Sequence, residues 1–264
     1  MPLSSNGTAY QIAGPDNAPA IALLHGIGMN RQLWRDYEPV LAKRYRVFSY
    51  DLPGHGESAP SPAPLSLKRF ANQFRDLMDE LDIPRCTAIG FSMGGMINRR
   101  FVMDYPERAD ALVILNSPHE RSPEAQQLVE NRVARTLEGG PAATMRTSLE
   151  RWFTSEFLST QAETVDEVRQ WVLGTDPTAF TQSRQVLAAG VRELVRPEPP
   201  IFVPTLVITC ENDSGSTPEM AHDISSDIAG ARTLVVPGLQ HLGMLEQPTL
   251  FIEPMLKFLH EVVS

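Results

Sequence analysis

The stretch Ile89-Gly90-Phe91-Ser92-Met93-Gly94-Gly95 constrains the fold more than any other part of the 264-residue chain. It joins an apolar, strand-like run, Thr87-Ala88-Ile89, directly to a helical run that begins near Met96. A turn this tight needs small residues around its apex, which Gly90, Gly94 and Gly95 supply, and it lifts the serine hydroxyl clear of the backbone. A strand that passes straight into a helix is half of a β-α-β crossover, so a mostly parallel sheet is expected around it.

The rest of the pattern agrees. Ile21–Leu24, Val47–Tyr50, Thr87–Ile89, Leu112–Leu115, Leu206–Thr209 and Leu234–Val236 read as short strands whose near-continuous apolarity suits burial on both faces. Ser66 offers an N-cap, after which Leu67, Phe70, Phe74, Leu77, Met78 and Leu81 recur at helical spacing until Asp82 and Pro84. Alternation of this kind predicts an open α/β sheet with helices on both faces. Thr8–Ile12 is expected to add an antiparallel edge strand. Leu250–Val263 is amphipathic, with Pro254 expected in its first turn.

Between Glu120 and Val195 the rhythm changes. Glu124–Leu137, Ala143–Phe153, Thr164–Leu173 and Phe180–Leu194 are helical patterns split by Gly139-Gly140-Pro141 and Gly174-Thr175-Asp176-Pro177, with no convincing strand. This predicts an all-helical insertion, residues 120–195, within a core domain made of residues 1–119 and 196–264.

Composition narrows the partners. Lys and Arg number 23 against 32 Asp and Glu, a net charge of −9, which repels a phosphate backbone and speaks against a nucleic-acid partner. Cys86 and Cys210 sit in apolar runs and read as small buried hydrophobes, with no disulfide framework or metal cluster implied. No basic residue precedes Arg31, and the longest apolar runs, Ala111–Leu115 and Ile201–Cys210, fall well short of a membrane span. A cytoplasmic protein with no membrane partner is the expectation. No nucleotide, metal or redox cofactor motif is present in the sequence.

A serine hydroxyl is a weak nucleophile near neutral pH and needs a base, which in turn needs an orienting carboxylate. The strand Thr205–Cys210 is followed by Glu211-Asn212-Asp213, and the last strand by Pro237-Gly238 and then His241. Ser92, Asp213 and His241 therefore each lie just beyond the C-terminal end of a strand, where open α/β sheets place their sites. Glu211, two residues closer to its strand, is a rival for the acid. Asn116, after the strand Leu112–Leu115, cannot orient a histidine as an anion. His222 and His260 lie on helical patterns and are expected to be exposed.

On these residues the chain resembles the α/β-hydrolase superfamily, from about Thr8 to the C-terminus. Besides the Gly90–Gly94 turn, His25-Gly26-Ile27-Gly28 resembles the family's oxyanion loop and Asp51-Leu52-Pro53-Gly54-His55-Gly56-Glu57-Ser58 its D-x-P-G-H-G-x-S turn. The resemblance implies a Ser92–His241–Asp213 triad and backbone oxyanion donors at Ile27 and Met93, with Gly28 a fallback for the first. It also implies a helical cap at 120–195 and structural roles for Asp51, His55 and His25. Cys210 and Gln240 depart from the family pattern, where glycine often precedes the acid loop and glycine or alanine the histidine. Serine at the turn argues against haloalkane dehalogenases and epoxide hydrolases, which carry aspartate there.

The Ser-Met-Gly-Gly turn and Glu219-Met220-Ala221 are similar to 3-oxoadipate enol-lactonases and small carboxylesterases, so a small ester or lactone is the implied substrate. Carbon–carbon bond hydrolases of ring-cleavage dienoates share the implied triad and cap and are the enzymatic alternative, and a ligand receptor on the same fold is the non-enzymatic one. Substrate contacts are expected from His119, where the insertion leaves the sheet, and from Trp152. Phe153, Trp171 and Phe180 read more readily as insertion core. Arg121, Arg132 and Arg135 fit either a carboxylate site or a solvated face.

Overall fold

The computed structural model describes residues 2–263. Its strands β1 (Tyr10–Ala13), β2 (Ala20–Leu24), β3 (Arg46–Tyr50), β4 (Cys86–Phe91), β5 (Ala109–Leu115), β6 (Thr205–Cys210) and β7 (Arg232–Val236) form one seven-stranded sheet in the order β1-β3-β2-β4-β5-β6-β7. β1 pairs antiparallel with β3, Tyr10 opposite Tyr50, and the other neighbours are parallel. The expected edge strand is present, beginning two residues later than the sequence pattern suggests. The strand order reverses between β2 and β4, and such a switch point opens a crevice at the C-terminal ends of the strands.

Side-chain alternation sorts each strand between two cores. Ala22 and Leu24 of β2 join Phe48, Ala88 and Ile114 on one face, while Ile21 and Leu23 join Val47, Ile89 and Val113 on the other. The first face is covered by α2 (Leu67–Glu80), α3 (Met93–Asp104) and α9 (Pro218–Asp227). α2 begins where Ser66 Oγ accepts from the Arg69 N–H at 3.1 Å, and its buried stripe of Leu67, Phe70, Phe74, Leu77 and Met78 follows the expected spacing. The second face is covered by Leu33, Trp34, α1 (Glu38–Leu41) and α11 (Thr249–Val262), with α10 (Gly243–Glu246) just before it. The two edge strands depart from two-sided burial: β1 has no fully covered residue, and in β7 Arg232 is exposed and only Val236 is fully covered.

α11 departs from the sequence reading. It starts at Thr249, so Pro254 lies inside the helix instead of in its first turn. Gln247 and Pro248 supply carbonyls to the N–H groups of Leu250, Phe251 and Ile252 and so complete a turn ahead of the proline. Burial of Phe251, Met255, Phe258 and Leu259 against the sheet outweighs the one backbone bond the proline cannot make.

Between β5 and β6 the described chain is helical: α4 (Pro123–Gly139), α5 (Met145–Trp152), α6 (Ser155–Thr160), α7 (Ala162–Leu173) and α8 (Pro177–Ala189), with short 3-10 turns at Pro141–Thr144 and Gly190–Glu193. The six-residue α6 is not foreseen in the sequence reading, because it is too short to show periodicity. Its only local signal is the Thr154 cap, whose Oγ1 accepts from the Phe157 N–H at 3.2 Å. These helices do not build a core of their own. Met145, Leu149, Phe153, Val168 and Phe180 continue one sheet core, and Ala179, Val186 and Val191 the other. Among the described residues no helix is long and apolar enough to cross a membrane.

Candidate active site

Ser92 follows β4 and caps α3 with φ 55° and ψ −112°, a conformation that costs an L-residue energy and persists only where its surroundings enforce it. The enforcement is visible. A Cβ on Gly90 would lie 2.2 Å from the Gly94 carbonyl oxygen, and one on Gly94 would lie 2.2 Å from that of Leu24. The Ser92 N–H donates to Leu115 O at 2.8 Å and its carbonyl accepts from Gly95 N–H at 3.0 Å, so the turn is fixed to both β5 and α3.

His241 and Asp213 reach this serine from two other strand ends. Ser92 Oγ lies 3.2 Å from His241 Nε2, and His241 Nδ1 lies 2.6 Å from Asp213 Oδ2. Asp213 is buried and its carboxylate is fully engaged. Oδ2 also accepts from Asn116 Nδ2 at 2.9 Å, and Oδ1 accepts from the N–H groups of Gly215 and Ser216 at 2.8 and 3.0 Å. Burial pushes the Asp213 carboxyl upward, but His241, Asn116 and Gly215 together hold it below the ordinary carboxylate range. The Phe91 ring packs on the imidazole with centroids 4.9 Å apart.

Glu211 is not brought to this line: it is exposed and its Oε2 accepts from the Gly238 N–H at 2.9 Å. Asn116, set aside as an acid, instead buttresses Asp213. Its φ of 45° aims the amide across from β5 to the β6 loop, a placement no sequence pattern signals. Gln240 also gains a role. With its amide nitrogen turned toward α5 it donates to the carbonyls of Glu150, Arg151 and Phe153 at 2.7–3.0 Å. The Leu242 N–H donates to Trp152 O at 2.8 Å, so the His241 loop is tied to α5 on both sides of the histidine. Cys210 packs under the same loop, its sulfur 2.8 Å from where a Cβ on Gly243 would stand.

Ile27 and Met93 flank the serine from two directions. Met93 is the first residue of α3, so its N–H has no acceptor within the helix. Ile27 lines the cavity above Ser92, while Gly28 sits against Val172 and Phe180. His25 holds this loop: its Nδ1 faces Gly26 O at 2.8 Å and its Nε2 accepts from the Leu52 N–H at 2.9 Å. Burial pushes its pKa down to about 4, so it is a neutral hydrogen-bonding link at physiological pH. Asp51 ion-pairs with Arg31 and accepts from the Glu57 N–H, and His55 faces Pro53 O at 3.1 Å. Neither makes a hydrogen bond to Ser92 or His241.

A small cavity of about 70 Å³ opens at Ser92 and His241. Trp152 lines it, together with Met29, Phe91, Pro118, Val129 and Leu187. His119 does not, contrary to the sequence expectation. It is buried below the rim, where its Nε2 lies 3.0 Å from Asp227 of α9, a carboxylate that also accepts from the Arg196 N–H at 2.7 Å. Pairing with an acid on the sheet side turns the ring out of the cavity. Phe153 and Phe180 are core residues, and Trp171 is half-buried beside Arg35. Arg121 and Arg132 line the cavity, whereas Arg135 is exposed on α4. Arg151 and Arg184, which the sequence did not single out, line it as well. His222 and His260 are exposed. Among the described residues no group of three or more His, Cys, Asp or Glu is placed to hold a metal ion.

The chain is similar to known hydrolases over most of its length. The chain is 26% identical over 248 residues to (E)-2-((N-methylformamido)methylene)succinate hydrolase of Acinetobacter baylyi, covering 94% of this chain and 92% of that one. It is 27% identical to 3-oxoadipate enol-lactonase 2 of the same organism, covering 92% and 89%. The crystal structure of the enol-lactonase from Burkholderia xenovorans LB400 superposes with a TM-score of 0.88 at 28% identity, covering 96% of both chains. The family model for the alpha/beta hydrolase fold matches residues 19–248, everything from β2 to the loop before α11, and the chain belongs to that family.

Proposed function

We propose that the chain is a serine hydrolase that opens a small carboxylic ester or lactone through an acyl-enzyme. The observation that carries this reading is the continuous line Ser92 Oγ, His241 Nε2, His241 Nδ1, Asp213 Oδ2, with steps of 3.2 and 2.6 Å across the noncovalent gaps. His241 takes the hydroxyl proton as Ser92 Oγ attacks the substrate carbonyl, and the buried Asp213 carboxylate stabilises the imidazolium that forms. The N–H groups of Ile27 and Met93 receive the developing oxyanion. The alcohol then leaves with the proton from His241; in a lactone it stays tethered to the acyl group. Water, deprotonated by the same histidine, releases the acid and restores Ser92.

Residues 120–195 act as the cap of this site: Arg121, Val129, Arg132, Arg151, Trp152, Arg184 and Leu187 all come from it and close the cavity over Ser92. The names of the enol-lactonase relatives support a lactone or ester, and the triad needs no cofactor. A screen of the purified protein against short-chain esters, enol lactones and ring-fission dienoates tests the assignment. Ester or lactone turnover that disappears in Ser92→Ala is expected. A clear preference for dienoates would move the assignment to carbon–carbon cleavage, and inactivity toward all three classes would favour a ligand receptor.

A further inference from the structure

Four arginines converge on the cavity from four separate segments: Arg121 from the loop after β5, Arg132 from α4, Arg151 from α5 and Arg184 from α8. Among the described residues none of the four has a carboxylate within 4 Å, although Arg100 and Arg146 elsewhere on the molecule do. Their side-chain hydrogen bonds go to neutral oxygens. Arg121 reaches Gln126 Oε1 at 3.2 Å and Leu187 O at 3.4 Å, and Arg184 reaches Thr144 Oγ1 at 3.4 Å. Arg184 is 9% exposed, its Nε has no partner, and its guanidinium lies 5.2 Å from the Phe180 ring centroid.

These cations form one cluster. Burial is the main influence on each, and it holds Arg121, Arg151 and Arg184 near about 10, with repulsion from Arg132 adding to all three. Asp213 is the carboxylate that attracts Arg151, and its oxygens are already occupied by His241, Asn116, Gly215 and Ser216. Arg184 is buried and the other three are half-buried; gathering unpaired like charges where water only partly reaches them destabilises a fold, so such a cluster serves a ligand and not the core. A carboxylate is satisfied by one bidentate guanidinium and one more donor, so four guanidinium groups exceed what a single carboxylate can use.

We propose that this cavity binds substrates carrying at least two carboxylates, held by Arg121, Arg132, Arg151 and Arg184 while the carbonyl to be attacked faces Ser92. The identity of the attacked carbonyl rests on the hydrolase reading; the anion site does not. Neutral esters lack the groups that would compensate the cluster and are poor ligands. Val129, Trp152 and Leu187 line the cavity beside these arginines and give an apolar spacer between the anionic ends its wall.

The test is calorimetric binding to the Ser92→Ala chain at low ionic strength, using succinate, glutarate and adipate together with the monomethyl and dimethyl esters of adipate. The proposal expects at least one diacid to bind, and at least tenfold weaker binding for each carboxylate masked. Arg151→Met and Arg121→Gln each weaken diacid binding at least tenfold, whereas Arg135→Met, outside the cavity, leaves it unchanged. Arg184→Met melts at the same temperature as the parent or higher, because it removes an uncompensated buried cation; an arginine that merely supported the fold would lower it. No binding by any of the three diacids, or equal affinity for diacid and diester, overturns the proposal. Because binding needs no cleavage, turnover of neutral esters by the wild type would then leave the hydrolase reading standing, while diacid binding without any turnover would overturn that reading alone.

Discussion

Replacing Asp213 by Asn probes the proposed catalytic line with little change in shape. The carboxylate accepts four hydrogen bonds and donates none. In the variant the amide oxygen stays with the Gly215 and Ser216 N–H groups, which places the NH2 against His241 Nδ1. Asn116 can rotate its amide to accept, since its Oδ1 has no partner in the parent. The remaining NH2 group then donates to Nδ1 and fixes the proton on Nε2, the nitrogen that accepts the Ser92 proton in the proposed reaction. Restoring the working tautomer sets two donors face to face at a buried site, at a cost of about 1–2 kcal/mol. Loss of the carboxylate removes about 4 kcal/mol of attraction to the imidazolium, taking an effective dielectric of about 20 and about 4 Å between charge centres. The sum, about 5–6 kcal/mol, corresponds to a fall of about 10⁴ in kcat. Steady-state kinetics on the best ester or lactone from the screen, with a thermal melt to show that the fold is kept, measures it. A folded variant that retained more than about a tenth of parental kcat would refute the role given to Asp213.

Two further predictions follow from the same contacts. Gln240→Ala frees the His241 loop from α5 and is expected to lower kcat by about 10 to 10² while KM changes little, measurable in the same assay. His25 and His55 are buried, and burial pushes their pKa values down to about 4 and about 3 from about 6.5. Below pH 6.5 the unfolded chain binds protons that the fold refuses, so stability falls as pH drops toward those values. The slope is about 1.4 kcal/mol per pH unit for each histidine. His55→Asn keeps a donor for Pro53 O and should flatten that loss between pH 6.5 and 4 by one proton's worth in urea titrations; an unchanged slope would show that His55 is already protonated in the fold.

Much of this site is legible in the sequence because it depends on local rules. The Gly90–Gly95 spacing dictates the turn, and the short loops after β6 and β7 leave Asp213 and His241 little choice but to meet Ser92. What stayed hidden depends on packing between distant segments. Which face of α5 and α8 meets the cavity is set by how the helices cross, so Arg151 and Arg184 look like ordinary surface cations in the sequence. His119 sits at the right place along the chain, but Asp227, 108 residues away, decides where its ring points. Gln240 looks like a departure from family pattern until the α5 carbonyls are seen beside it. Pro254 reads as a helix start because local preference cannot register the buried stripe that extends the helix past it.

A Ser92 hydroxyl activated by His241 reacts with an electrophile that an ordinary serine ignores, so covalent trapping reads the proposed activation itself. Intact-protein mass spectrometry after treatment of the native chain with a fluorophosphonate should show a single adduct, located on the peptide containing Ser92 and absent in Ser92→Ala. An unmodified native protein, or an adduct that persists in Ser92→Ala, would contradict it.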